Sequence, residues 1–168
     1  MSVTTTQDLY LDELGDIYDA EHRFLKGQQE MAQQASDPQL KSAIQLHIEQ
    51  TQQQIANLDQ VFQLLGQRPK GVICNAAQGL VTEAQKTMAE AGTDAIRDCS
   101  IDGAVAKVEH YEIASYRGLI AGAQLMGKQD IVSLLRQNLD QEEQTAQKAE
   151  QSMPQLLQKA MQQTGAQG

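Results

Sequence analysis

The sequence is poor in aromatic residues and contains no long apolar run. Aromatic side chains make up 4% of its 168 residues, and tryptophan is absent. A helix needs roughly 20 consecutive apolar residues to cross a bilayer, and no stretch of the sequence approaches that length. The opening residues, MSVTTTQDLY, have neither the basic nor the apolar segment of a secretory signal. We therefore expect a cytoplasmic protein without a membrane span.

Basic residues are also scarce. The 13 Lys and Arg residues stand against 22 Asp and Glu residues, which gives a formal net charge of −9 and a pI near 4.7. Phosphate backbones and anionic lipids repel a protein of this charge, so the sequence predicts no nucleic-acid or membrane partner. Cys74 and Cys99 form no CxxC motif, and we expect both to be free thiols.

Helix-forming residues make up much of the remainder. Ala, Gln, Glu and Leu are abundant, and these residues favour helix over sheet. The three prolines separate the helical patterns instead of interrupting them. We predict an all-α fold in a single domain that spans residues 1–168. The predicted helices cover about 4–35, 37–65, 75–90, 93–126, 128–151 and 154–163.

The connections between these helices indicate a topology. Tight turns join the first long helix to the second and the third to the fourth, and a long connection with a short helix joins the two pairs. This order predicts a ferritin-like antiparallel four-helix bundle with a short crossover helix and a short C-terminal helix. Thr4 and Gln7 are the candidate capping box of the first helix, and Asp37 is the candidate N-cap of the second.

Several ionisable residues occur on helix faces that are otherwise apolar. The stretch KVEHYEIASY places Glu109 and Glu112 three positions apart on the predicted buried face of its helix. Glu21 lies in the apolar stripe of the first helix, His47 in that of the second and Glu142 in that of the fourth. All lie near the middle of their helices, so an up-down bundle would bring them into one layer.

Buried carboxylates that cluster in this way need compensating positive charge. The Arg and Lys residues wind away from these faces or lie far along them, whereas two divalent cations would match the charge of four glutamates. Glutamates from four helices are the ligands of carboxylate-bridged dinuclear sites, and oxygen-rich ligation favours Mn or Fe(II) over Zn or Cu. We predict a site for two Fe or Mn ions. Its candidate ligands are Glu21, His47, Glu109, Glu112 and Glu142.

A structural role is the alternative for each of these residues. A single glutamate in an apolar stripe is commonly a rim residue or an acid that is hydrogen-bonded to a tyrosine, and a lone buried histidine is commonly a core residue. Tyr116 either packs in the core or orients Glu112, which lies one turn away. The pattern leaves open whether Glu49, Gln50 or Gln52 contributes from the second helix.

Several stretches of the sequence carry a resemblance to a known family. They are DIYDAEH at 16–22, HIEQT at 47–51, CNAAQGLVTE at 74–83 and KVEHYEIASY at 107–116. From about residue 5 to residue 160 the chain resembles the YciE/YciF family of ferritin-like bacterial stress proteins. The resemblance implies a homodimeric bundle in the bacterial cytosol, induced under stress, and a dinuclear metal site by analogy with rubrerythrins and ferritins. The ligands that it implies are Glu21, Glu109, Glu112 and Glu142, with a contribution from the HIEQT segment.

The sequence departs from the ExxH ligand pattern that ferritin-like di-iron proteins commonly use on two helices. Glu49 is followed by Gln52 and Glu142 by Thr145, so His47 is the one candidate imidazole. One hypothesis is a dinuclear stress protein that handles iron or reacts with peroxide or oxygen at open coordination positions. The other is a non-catalytic dimeric bundle that acts through partner binding. The sequence names no substrate and no redox partner, and it does not decide whether the chain is an enzyme.

Overall fold

A computed structural model describes residues 3–165 of the protein, and this part of the chain forms five helices. The helices are α1 (Thr6–Gln34), α2 (Pro38–Leu64), α3 (Asn75–Glu90), α4 (Asp94–Leu125) and α5 (Gln129–Gly165). No strand occurs among the described residues, and none of the helices there is long and apolar enough to span a membrane. The predicted all-α fold is confirmed.

The four long helices α1, α2, α4 and α5 form a bundle in which neighbours are antiparallel. The α1–α2 and α4–α5 pairs are hairpins, α1 packs on α4, and α2 packs on α5. Ser36, just after α1, bonds to Asp98 near the start of α4, and Lys159 near the end of α5 pairs with Asp37 just before α2. The shorter helix α3 lies against α1 and α4. This is the predicted ferritin-like connectivity with a crossover helix.

Side chains that bond free backbone amides fix the starts of the helices. The N-cap of α1 is Thr5, whose hydroxyl accepts a bond from the Asp8 amide at 3.0 Å while the Asp8 carboxylate accepts from the Thr5 amide at 3.1 Å. The predicted capping pair of Thr4 and Gln7 is wrong by one position, because an ionised aspartate is the stronger acceptor and is favoured at a helix N-terminus. Asp37 caps α2 as predicted.

Two glycines in left-handed conformations end α2 and α4. Gly66 has a φ of 64° and Gly127 a φ of 68°, a region that side chains with a Cβ atom seldom adopt. The amide after each glycine donates to a carbonyl five residues earlier, from Gln67 to Phe62 and from Lys128 to Ala123. The second of these turns directs α5 back along α4.

The helix α5 continues through Pro154, whereas the sequence predicts a break there and a separate terminal helix over 154–163. A proline inside a helix removes one amide donor and costs about 3 kcal/mol. Packing compensates for this cost, because Leu156 is buried in the apolar core and Lys159 forms an ion pair with Asp37. The structure therefore has one long final helix in place of the two predicted.

Apolar side chains fill the bundle on both sides of a central polar layer. One cluster includes Leu14, Leu58 and Leu135, and the other includes Ile44 and Ile101. Each fully buried aliphatic side chain of this kind contributes roughly 1.5–3 kcal/mol. The two clusters therefore stabilise the bundle independently of anything bound in the layer between them.

Candidate metal centre

Each bundle helix contributes an ionisable side chain to the central layer. Glu21 comes from α1, His47 from α2, Glu109 and Glu112 from α4, and Glu142 from α5. The exposed fraction of each is between 0% and 3%. The two glutamates of α4 are three residues apart, a spacing that places both on one face of a helix. The structure thus brings together in the core all the residues that the sequence predicts as ligands, and their binding of metal stays a prediction.

Four of these side chains converge closely. Ligand atoms of His47, Glu109, Glu112 and Glu142 all lie within 4.8 Å of one another. The Nε2 atom of His47 is 2.9 Å from Oε1 of Glu109, yet the contact lacks the geometry of a hydrogen bond. Glu21 lies beside this group, where the Tyr116 hydroxyl donates a hydrogen bond to its Oε1 atom. The four convergent residues are the core of the candidate centre.

Most ligand atoms in the layer have no hydrogen-bond partner among the described residues. These atoms are Oε2 of Glu21, Glu112 and Glu142, both carboxylate oxygens of Glu109 and both ring nitrogens of His47. Leaving a buried polar atom without a partner costs about 1–3 kcal/mol, and an unpaired buried charge costs more. The cluster therefore needs protons or cations between its carboxylates.

Burial raises the pKa of every glutamate in the layer. It raises the pKa of Glu21 to about 8, with a further contribution from the nearby Glu142 carboxylate. It raises the pKa of Glu109 to about 7, and those of Glu112 and Glu142 lie well above the ordinary glutamate value for the same reason. The metal-free layer can hold protons at neutral pH, and a bound cation would have to displace them.

Lysine and arginine do not neutralise the layer in the described part of the chain. The ion pairs formed there by these residues lie away from it, as between Arg117 and Glu143 or between Lys107 and Glu83. Among residues 3–165, His47 is the one potentially cationic side chain with a carboxylate of the layer in ion-pair range. The donor set of four carboxylates and one imidazole, with unpartnered atoms turned toward one another, fits divalent cations.

A network of uncharged side chains surrounds the carboxylates. Gln54 donates through Nε2 to Oε1 of Glu142, and Asn138 donates to the Tyr116 hydroxyl at 3.0 Å. Asn57 in turn donates to Oδ1 of Asn138 at 2.7 Å. These bonds fix the rotamers of the tyrosine and the amides that orient Glu21 and Glu142.

Sequence reasoning missed most of this network, although a signal for it exists. Gln54 lies seven residues after His47 and Asn138 four residues before Glu142, so each shares a helix face with a candidate ligand. The structure also corrects the role considered for Tyr116, whose hydroxyl bonds to Glu21 across the bundle instead of Glu112 one turn away.

The α2 candidates that the sequence left open lie nearer the surface than His47. Glu49 and Gln52 are exposed and Gln50 is half-buried, and none of the three is in the convergent group. His47 and Gln54 are the side chains of α2 that contact the carboxylates. Both cysteines are free thiols, as predicted, with Cys74 buried and Cys99 partly buried.

An antiparallel four-helix bundle with a carboxylate and imidazole layer in its core defines a ferritin-like helical protein. Comparison with known proteins agrees with this class. Residues 5–162 match the family described as Domain of unknown function (DUF892), and the chain belongs to that family.

Individual relatives cover nearly the whole chain. Protein YciF of Escherichia coli strain K12 is 33% identical over 146 residues, which are 86% of this chain and 88% of the relative. The crystal structure described as the E. coli stress protein YciF superposes with a TM-score of 0.87 at 32% identity, over 93% of this chain and 99% of the other. The chain is therefore homologous to a stress protein.

Two further solved structures share the fold. YcfI from Rhodopseudomonas palustris, described as a proposed structural protein, has a TM-score of 0.86 at 42% identity and covers 89% of this chain and 95% of its own. A protein from Xanthomonas campestris pv. campestris has a TM-score of 0.77 at 24% identity and covers 96% and 99%. The second of these likenesses bears on the fold alone.

Proposed function

We propose that this chain is a ferritin-like stress-response protein whose central layer binds two Fe or Mn ions, for handling iron or for reaction with peroxide or oxygen. The observation that carries the proposal is the convergence of unpartnered ligand atoms from His47, Glu109, Glu112 and Glu142 within 4.8 Å of one another in the buried core. The relationship to the stress protein YciF supports the biological setting.

The charge of the layer supports two divalent ions over one. Four ionised glutamates carry four negative charges, and carboxylates at this separation repel one another unless cations or protons lie between them. Two divalent cations supply an equal positive charge. Oxygen-rich donors with one imidazole suit Mn and Fe(II) better than thiophilic ions.

The side chains would divide the work in the following way. His47, Glu109, Glu112 and Glu142 would hold the ions, with Glu21 as a further carboxylate ligand beside them. Ions of this kind, when bound, supply electrons and open coordination positions to an oxidant. The apolar clusters on both sides of the layer would exclude bulk water from the site.

Two neighbouring residues would orient the ligands. The Tyr116 hydroxyl holds one oxygen of Glu21, and the Gln54 amide holds one oxygen of Glu142. In each carboxylate the second oxygen is left without a partner in the layer. Hydrogen bonds of this kind to the non-coordinating part of a ligand fix its direction and its basicity.

The second candidate is a non-catalytic bundle that acts through partner binding. It is favoured by the raised pKa values of the layer, since neighbouring carboxyls can share protons between Glu109 and Glu142 and between Glu21 and Glu112. It is also consistent with the structural role proposed for the R. palustris relative. A homodimer, which the family resemblance implies, is part of both proposals.

An anaerobic ferrous titration separates the two candidates. We expect wild-type protein to bind Fe(II) tightly and to develop an optical absorption band when oxygen or peroxide is then added. The variant that carries both Glu109→Gln and Glu112→Gln should lose binding by about 100-fold or more, while Glu49→Gln, an exposed change on α2, should bind as wild type does. Equal weak binding by all three proteins would favour the non-catalytic bundle.

A further inference from the structure

We propose that a cavity between α2 and α5 binds a small neutral molecule with an apolar ring and a hydroxyl group, that is, a phenol. This site is distinct from the central layer and adds a ligand class to the proposed metal function without depending on it. The proposal rests on the size of the cavity, its apolar wall, two buried acceptors that have no donor, and the position of the nearby charges.

The cavity has the size and the lining of a site for an aromatic ring. Its volume is about 250 Å³, whereas an apolar cavity of about 150 Å³ already holds a benzene molecule. Its apolar wall includes Leu40 and Ile44 of α2, Val105 of α4, and Ala149 and Leu156 of α5. The cavity therefore has room for a ring with small substituents.

Two buried acceptors in the cavity wall are without a donor. Asp102 is 2% exposed, and its Oδ1 atom accepts a bond from the Ser152 hydroxyl at 2.6 Å while its Oδ2 atom has no partner. Gln28 is 4% exposed, and its amide nitrogen donates to Thr51 at 3.0 Å while its Oε1 atom has no partner. A ligand hydroxyl supplies the donor that these acceptors lack.

The charges around the cavity favour a neutral ligand. Lys148 in the wall is exposed, and Lys159 is paired with Asp37. An anionic head group would meet the Asp102 carboxyl, and the exposed Lys148 would have to leave water to pair with it. A cationic ligand would lie near the Lys148 and Lys159 ammonium groups of the same wall. A neutral hydroxyl group donates a hydrogen bond to the buried acceptors without bringing a charge into the cavity.

The cavity also adjoins the candidate metal centre. His47 belongs to its wall, and the Nε2 atom of the same ring is 2.9 Å from Oε1 of Glu109. A molecule in the cavity would therefore lie one side chain away from the carboxylate layer. The binding itself requires only the cavity, so it can be measured in metal-free protein.

Binding of para-cresol and of toluene to the metal-free full-length protein tests the proposal. The two probes have nearly the same shape, and only para-cresol can donate a hydrogen bond. In titrations followed by backbone amide NMR shifts, we expect both to perturb residues that line the cavity and para-cresol to bind about 10-fold more tightly, as one hydrogen bond allows. Equal affinities, or shifts away from the cavity, would overturn the proposal.

Variants locate the site and identify the acceptor. Asp102→Leu should weaken para-cresol binding by about 5- to 10-fold and leave toluene binding within about twofold. Gln28→Met is the second acceptor variant if the first does not fold. Ala43→Phe places a large ring at an exposed position of the wall and should abolish binding of both probes, whereas Ala76→Phe, an exposed position on α3, should not.

Two results would contradict the site. Unchanged binding in Ala43→Phe would place the probes elsewhere on the protein. A wild-type protein that binds neither probe, and that becomes monomeric in Ala43→Phe, would show that a second copy of the chain covers the opening. Sedimentation of both proteins distinguishes this outcome from a loss of folding.

Discussion

Two groups of buried acidic residues in the same bundle are held in different ways. Near the start of α4, Asp98 is 3% exposed and accepts bonds from the Ser36 amide at 2.8 Å, the Ser36 hydroxyl at 2.5 Å and the Asp37 amide at 3.0 Å. In the central layer, Glu109 is fully buried, and neither of its oxygens forms a hydrogen bond within the described part of the chain. The two carboxylates occur eleven residues apart on one helix.

The difference separates a structural acid from a candidate functional one. Asp98 joins the α1–α2 turn to α4, and its donors make up for the water that it lost on folding. The glutamates of the layer instead face one another, and no lysine or arginine of the described residues pairs with them. A bundle that needed only stability would gain from apolar residues at those positions.

The largest stability effect is expected for Asp98→Ala. The change removes three hydrogen bonds and leaves the buried Asp37 amide without an acceptor, so the free energy of unfolding should fall by about 3 kcal/mol. The matched control is Asp94→Ala, which removes an exposed ion pair with Arg97 and should cost less than about 1 kcal/mol. Chemical denaturation measures both. If Asp98→Ala and Asp94→Ala lowered the free energy of unfolding equally, the bonds to Asp98 would contribute no more to stability than an exposed ion pair.

The free energy of unfolding of the metal-free protein should fall as pH rises, which is the opposite of the usual effect of acidic residues. The folded pKa is about 7 for Glu109 and about 8 for Glu21, above the ordinary value of 4.5, so the folded layer binds protons that the unfolded chain has released. The stabilisation that these protonated carboxyls contribute is complete near pH 4.5 and is lost as pH rises to about 8. We expect a decrease of about 2 kcal/mol between pH 6 and pH 7, measured by urea unfolding.

The substitution Glu112→Gln should stabilise the metal-free protein, in contrast to Asp98→Ala. At pH 8 the amide replaces a carboxyl whose pKa is raised by burial and by the neighbouring carboxylates, so the free energy of unfolding should rise by about 1–2 kcal/mol. Near pH 5 the protonated glutamate is equally neutral, and the gain should disappear. Destabilisation at both pH values would mean that Glu112 has a structural role like that of Asp98.

Tyr116→Phe is expected to have the smallest effect on stability and a larger one on metal affinity. The change removes the donor to Glu21 and the acceptor of Asn138, which should cost about 1 kcal/mol of stability and about 10-fold in metal affinity. Tyr18→Phe is the control, because its hydroxyl bonds to Asp59 at 2.9 Å outside the layer. If Tyr116→Phe left the metal affinity unchanged, the role of Tyr116 would be core packing and not orientation of Glu21.

The sequence predicts the helices and the ionisable layer because both follow from helical periodicity. Glu21, His47, Glu109, Glu112 and Glu142 are anomalous on apolar faces, and an anomaly on a periodic face is visible without coordinates. The course of α5 through Pro154 is not visible in this way, since it depends on packing at the far end of the bundle.

The uncharged partners and the cavity are harder to predict for a different reason. Gln54 and Asn138 are polar residues in a chain rich in such residues. Their spacing from His47 and Glu142 gives a shared helix face, but their bonds to Glu142 and Tyr116 are visible only in the structure. The cavity depends on the space that small residues such as Ala149 leave between helices. Sequence periodicity gives a face of a helix and not the distance across a gap.

Metal analysis of natively purified protein shows whether the central layer binds two ions. We expect about two Fe or Mn ions per chain, measured by elemental mass spectrometry, and their loss in the variant that carries both Glu109→Gln and Glu112→Gln while the variant still unfolds cooperatively. Wild-type protein that is free of metal above background, and that takes up neither Fe(II) nor Mn(II) when these are supplied, would contradict the account. The central layer would then be a set of protonated structural acids.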